Sequence, residues 1–392
     1  MDDSSFRCAA CGGQSGVEVL RVAAYPAYLV PLPEEIARDV AIAPLRLSAC
    51  ADCGHLQLSA VDQEVQRLIY EVYYSHYVVD SSEALVPHYR EPFRTFVAEL
   101  ARDGVLRRGS LLEIGCSSGE SVPFFEQFCG QYTGVDPSEK IETARRNHPR
   151  HTFHRGYFPD ALPPGNFDAV VTQFNLEHMP RPDELLLAVR ARATPDTVLI
   201  LQVPDVDFFQ RTAQPNFLAH EHLHYFRRGP LVRMLRRAGF EAVAFAPDGP
   251  SLICAARPAA NAAAAEPPAA EPPLAWAERQ ARIFAARPAL PGESVLFYGV
   301  GPLLYWLLQG AEAGREFFVV DDNPKYAGQA LPGYGTRIER PGLDLLRRAA
   351  CVVLSLNVIY HPKVLDKLRA FGVPLVVHAI ENGAWRTVTL SQ

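Results

Sequence analysis

"LLEIGCSSGES", residues 111–121, is the stretch on which the fold turns. An apolar run carries Glu113 near its end, Gly115 and Gly119 then open a turn, and a helix-like segment follows. Glycine lets a backbone come close to a ligand, and the start of the next helix offers unpaired N–H groups. The spacing is G-x-x-x-G rather than the G-x-G-x-x-G of dinucleotide sites. One strand later, Asp136 closes "QYTGVD" ahead of "PSEK". Its carboxylate suits either the two hydroxyls of a ribose or the cap of a helix starting at Pro137. The glycine turn one strand earlier favours the ribose. Outward from here, the strand-like runs "SLLEIG", "QYTGVD", "HTFHRG", "FDAVVT" and "TVLILQV" alternate with helix-like pieces. That alternation predicts a mostly parallel, doubly wound α/β sheet. The runs "EAVAFA" and "SLICAA" have only "PDGP" between them, so the sheet should end in an antiparallel strand.

The chain has 392 residues, which points to two or three domains. With 48% hydrophobic and 21% charged residues it can bury more than one core. A net charge of −6 gives no electrostatic case for nucleic acid or an anionic membrane surface. The start "MDDSSFRCAACGG" has no apolar leader core, and no apolar run is long enough to span a bilayer. The expectation is a cytoplasmic protein. Cysteine usage agrees with a reducing compartment, because Cys8, Cys11, Cys50 and Cys53 form two C-x-x-C pairs. Four thiolates complete a closed tetrahedral zinc shell, a structural site rather than a reactive one. Cys116, Cys129, Cys254 and Cys351 stand among apolar or small residues and read as ordinary buried thiols. The organisation follows: a zinc-binding unit over 1–60, a central α/β unit over 61–256 with a helical lead-in at 61–109, an Ala/Pro-rich linker at 257–275, and a smaller Rossmann-like α/β unit over 276–392.

A second stretch, "FLAHEHLHYF", contains His220, Glu221 and His224 in the His-Glu-x-x-His order of zinc proteases. That chemistry needs the motif inside a helix, so that both histidines share a face. Pro215 before it and "RRGP" after it leave little room for one. An extended run would instead put His220, His222 and His224 on one side.

Taken together, "LLEIGCSSG", "GVDP", "FDAVVTQFNLEHMPRPDELL" and "LQVPD" resemble motifs of class I S-adenosylmethionine-dependent methyltransferases. Adding the cysteine knuckle, "HEHLHYF" and "DDNPKYAGQALPGYG", the whole chain resembles the three-part C-methyltransferases that act on nucleotide-linked deoxysugars in natural-product and antibiotic biosynthesis. The resemblance implies a cofactor pocket lined by Glu113, Gly115, Cys116, Gly119, Asp136, Tyr157, Phe158, Gln173 and Phe174. It implies His222 as the base, with Glu221 and His178 in the active site, and Tyr73 and Tyr74 as substrate-binding tyrosines. Histidine suits the task, since a carbon beside a ketone must lose a proton before attacking a methyl group. The partner implied is a small molecule, with the chain a monomer or homodimer. Two departures keep an O- or N-methyltransferase open: the family tyrosine two residues before Glu221 is Ala219, and Pro302–Leu303 replace the usual Ala-Lys after Gly301. A nicotinamide-dependent reductase is disfavoured, because Leu304 stands where a third glycine would be needed.

Overall fold

The computed structural model describes residues 6–76, 86–161, 163–212, 218–259, 278, 282, 293–309, 316–381 and 384–391. Strands β1 (Gly16–Pro26), β2 (Ile42–Cys50) and β3 (Leu56–Leu58) form an antiparallel meander. The second unit contains β4 (Ser110–Ile114), β5 (Gln131–Asp136), β6 (Thr152–Arg155), β7 (Ala169–Gln173) and β8 (Val198–Pro204), all parallel. Next, β9 (His224–Tyr225) leaves that unit to pair with β3. The second sheet closes with β10 (Phe240–Phe245) and β11 (Ser251–Pro258), giving the order β10-β11-β8-β7-β4-β5-β6. Only β11 runs against its parallel neighbours, as the short "PDGP" turn requires. This is the class I methyltransferase arrangement of an α/β sheet with one reversed strand.

Burial explains the strand sequences. Leu199, Ile200 and Leu201 of β8 are all fully covered, as expected of a central strand packed on both faces. The helix Val86–Arg102 places Phe93, Phe96, Val97 and Leu100 at helical spacing and buries that stripe in the sheet's core. Before it, the Tyr-rich segment is a broken helix: an α-turn at Gln63–Arg67, a π-turn at Leu68–Val72 and a 3-10 turn at Tyr73–His76.

The third sheet comprises β12 (Ser294–Tyr298), β13 (Glu316–Val320), β14 (Ile338–Glu339), β15 (Cys351–Leu354), β16 (Leu375–Glu381) and β17 (Ala384–Leu390). Its order is β14-β13-β12-β15-β16-β17, parallel except for the last strand.

Two sequence expectations need correction. Strand β11 continues to Pro258 because Arg257 and Pro258 still pair with Glu241 and Phe240, so the linker cannot begin at residue 257; residues 260–277 lie outside the described residues. Nor is 1–60 self-contained. Its sheet takes β9 from the histidine stretch, and Leu32 exchanges backbone hydrogen bonds with Ala330 of the third unit. Leu218, Ala219, Leu223 and Tyr225 share one buried core with Leu47, Leu56, Leu303 and Leu304. The histidine stretch is therefore clamped between the first and third sheets.

Candidate active site

In a doubly wound sheet the crevice opens where the strand order reverses, here between β4 and β7. Gly115 begins the turn after β4 at φ +82°, donating its N–H to the Val135 carbonyl at 2.8 Å. A Cβ there would lie 2.4 Å from the Asn175 side chain, which itself bonds the Ile114 carbonyl at 3.0 Å. Gly115→Ala thus meets both a steric and a backbone penalty, the latter about 1–2 kcal/mol. We expect a lowered melting temperature and weakened donor binding, checked by calorimetry. Asp136 ends β5 almost fully buried; one carboxylate oxygen accepts the Ser117 N–H and the other the Ser138 N–H, each at 2.8 Å. Ser138 Oγ donates to that second oxygen as well, so Asp136 shapes the turn and keeps a lone pair on the first oxygen for a ligand. Glu113 does something different. Its carboxylate is buried and accepts from Tyr132, Ser121 and Gln173, so it braces the strand ends from beneath. Burial raises its pKa.

The remaining members of the expected pocket gather at the same end of the sheet. Gly119 has φ +79° and packs near Ala144 and His148. Cys116 is buried beside Gly134, where a Cβ would come within 2.6 Å of its sulfur. Tyr157 is 70% exposed just past β6, next to half-buried Phe158. Gln173 ends β7, and Phe174 follows at φ +52° with its ring edge-on to Tyr89. Ser117, Ser121 and Asn175 complete the cradle. Sequence reasoning passed over them because hydroxyls and amides after a strand are common loop residues.

The loop after β7 connects this cradle to the histidine stretch. Asn175 touches the glycine turn, and its carbonyl accepts the His178 N–H at 3.0 Å. Leu223 N–H binds the Glu177 carbonyl at 2.7 Å, and His178 Nδ1 lies 3.0 Å from the Glu221 carbonyl. The His178 and His222 rings meet edge to face at 4.9 Å. Tyr74 donates its hydroxyl to Glu221 Oε2 at 2.8 Å and stacks on Tyr70. Burial, followed by the Glu221 charge, raises the Tyr74 pKa, so the hydroxyl keeps its proton. Burial and then His222 lower His178 to about 4, and burial raises Glu177 to about 8.

The extended reading of "HEHLH" does not hold. Residues 220–221 form a turn and only His224–Tyr225 is strand, because β3 and Glu177 pull the segment in different directions. The three histidines consequently diverge. His220 packs on Tyr25 in the core, His222 faces His178, and His224 Nδ1 lies 3.3 Å from His55 Nε2. Tyr73 also departs from expectation. It is buried against Tyr28, and its hydroxyl accepts the Ala41 N–H at 3.0 Å, which makes it a packing residue rather than a substrate contact. Tyr74→Phe, which loses a hydrogen bond to a carboxylate, is therefore expected to lower kcat as well as melting temperature. Tyr73→Phe should cost about 1 kcal/mol of stability and leave kcat alone. Thermal melts beside turnover separate the two.

Residues 86–244 match a family model described as "Methyltransferase domain". The chain carries a methyltransferase domain. It is a methyltransferase, and the glycine turn, Asp136 and the histidine cluster all involve residues of the matched span. No curated protein matches the chain. Similar solved structures include an S-adenosylmethionine-dependent methyltransferase from Clostridium acetobutylicum ATCC 824, 9% identical, covering 48% of this chain and 98% of that one at a TM-score of 0.39. Another is magnesium protoporphyrin IX methyltransferase from Synechocystis PCC 6803 with bound SAH, 19% identical, covering 44% of this chain and 86% of that one at 0.35.

Outside the methyltransferase domain, Cys8, Cys11, Cys50 and Cys53 bring one sulfur each to within 4.8 Å of the others. Gly12 and Gly54, both at positive φ, close the two knuckles by donating to the Cys8 and Cys50 carbonyls. Four converging sulfurs with no disulfide among them are the donor set of a tetrahedral zinc. In the third sheet, Asp321 accepts the Val300 and Asn323 N–H groups much as Asp136 does in the second. Leu304, however, is fully buried where a dinucleotide site needs glycine. Among the described residues no helix is long and apolar enough to cross a membrane.

Proposed function

We propose that this methyltransferase uses S-adenosylmethionine to methylate carbon C3 of a nucleotide-linked 4-keto-deoxysugar in natural-product metabolism. The observation that supports this most is the junction at the loop after β7, where Asn175 touches the cofactor-type glycine turn and His178 abuts His222 and Glu221. Backbone groups of 115–119, Asp136 and the aromatic Phe158 and Phe174 would hold the donor, with Asp136 offering its spare lone pair to a ribose hydroxyl. When bound, the donor supplies an electrophilic methyl on a sulfonium.

The chain's own groups do the rest. His222 takes the proton from C3, the carbon next to the C4 ketone, leaving an enolate whose C3 is nucleophilic. Glu221, fixed by Tyr74, is the neighbour of His222 in sequence. His178 donates its Nδ1–H to the Glu221 carbonyl and so holds the turn beside the base. Zinc in the four-cysteine knuckle keeps β3, and through it β9, in place. The third unit covers the acceptor. A monomer or homodimer in the reducing cytoplasm fits this reading.

The test is product NMR after incubation with a nucleotide-linked 4-keto-2,6-dideoxysugar and donor bearing a carbon-13 methyl. A new methyl bonded to a quaternary or tertiary carbon supports the reading. A methyl on oxygen or nitrogen would replace it with the O- or N-methyltransferase that Ala219 keeps open.

A further inference from the structure

We propose that Glu177, His178 and His222 form a divalent-cation site, distinct from the four-cysteine knuckle, whose occupation silences the base. One donor atom from each residue lies within 4.8 Å of the other two. Independent of that grouping is the state of Glu177. Its side chain is 1% exposed, and neither carboxylate oxygen has a hydrogen-bond partner among the described residues. Oε1 stands 3.9 Å from His178 Nε2, beyond hydrogen-bond range but close enough for both to reach one ion. A buried carboxylate left alone is expensive, and its charge must be met by a proton or by a cation.

The histidine tautomer favours the cation. The Glu221 carbonyl can only accept, so the proton of a neutral His178 resides on Nδ1. Nε2 then presents its lone pair toward Glu177; a bare carboxylate would repel it, a carboxyl proton cannot bridge the 3.9 Å between them, and a cation can bind both. A backbone carbonyl on the far ring nitrogen is also how metal-binding imidazoles are ordinarily held. Two imidazoles and one carboxylate suit zinc, iron or cobalt better than magnesium or calcium, and leave open coordination positions. His178 and His222 are only half-buried, so an ion can reach them.

The consequence rests on the function proposed above. A cation that takes the His222 lone pair prevents it from accepting the C3 proton, so metal and catalysis compete for one nitrogen. Nothing is oxidised or reduced, and release of the ion restores the base.

The experiment titrates Co2+ into the full chain with its cysteine-bound metal in place. Uptake of one further equivalent, with a weak visible spectrum free of thiolate charge-transfer bands, is expected. Glu177→Gln and His222→Asn should each weaken that uptake roughly 10–100-fold or more. His222→Asn alters a half-buried residue, so it reports even if Glu177→Gln fails to fold. No uptake, uptake with a thiolate spectrum, or uptake unchanged in His222→Asn would overturn the site and leave Glu177 answered by a proton alone. Enzyme-dependent exchange of the acceptor's C3 proton, followed in parallel, should fall as Co2+ binds. Binding with unchanged exchange would keep the site but remove His222 as the base.

Discussion

Cys53→Ser, which removes one of the four donors of the proposed knuckle zinc, is expected to abolish methyl transfer while the central sheet stays folded. Cys50 ends β2 and Cys53 leads into β3, whose Leu47↔Leu58 and Ala49↔Leu56 pairs make the hairpin. The Gln57 side chain ties β3 to the first knuckle through Ala9 N–H and the Arg7 carbonyl. On its other edge β3 holds β9 by Leu56↔Tyr225 and Gln57↔His224, two residues beyond His222. Structural zinc contributes about 10–16 kcal/mol in small zinc-folded peptides, as much as the whole stability of a typical domain, about 5–15 kcal/mol. A three-residue strand such as β3 cannot replace that. Hydrogen exchange should show β2, β3 and β9 losing protection and β4, β5 and β7 keeping it. Donor binding should survive while turnover drops below detection. Unchanged protection across β9 would mean that the knuckle does not hold the active site.

His222→Asn should reduce kcat about 10²- to 10⁴-fold with KM nearly unchanged. Asparagine keeps polarity and much of the volume, so the turn anchored by Leu223 N–H to Glu177 and by His178 to Glu221 should persist. His220 and His224 give the contrast. One packs on Tyr25 and the other on His55, so substituting either should act through stability. Steady-state kinetics beside thermal melts distinguish the two patterns. A His222 variant with normal kcat would assign the base elsewhere.

Much of the fold was legible because it is written locally. Strand runs of the right length, the turn glycines and the terminal "PDGP" each act over a few residues, and the central sheet follows them closely. Gly115 and Asp136 were readable for the same reason, since a positive-φ turn and a strand-end carboxylate leave local marks. The histidine stretch was not. Its path is set by Leu56, Gln57 and Glu177, and the nearest of these in sequence is more than forty residues away. Alternation within "HEHLH" could not show that the chain turns at His220. Tyr73 and Tyr74 show a similar limit. Adjacent on a tight helical segment, they point to Ala41 and to Glu221 respectively, a division that only the packed neighbours decide. Glu177 went unremarked because "LEH" draws attention to its histidine, and only burial shows that its carboxylate lacks a partner.

The most direct test of the account is deuterium exchange at C3 of a nucleotide-linked 4-keto-2,6-dideoxysugar in heavy water, with no methyl donor present. In the proposed mechanism proton removal by His222 precedes methyl transfer, so the wild-type enzyme should catalyse exchange that His222→Asn lacks. Absence of exchange in the wild type, with methyl transfer to that sugar intact, would contradict the enolate mechanism and place the methyl on another atom.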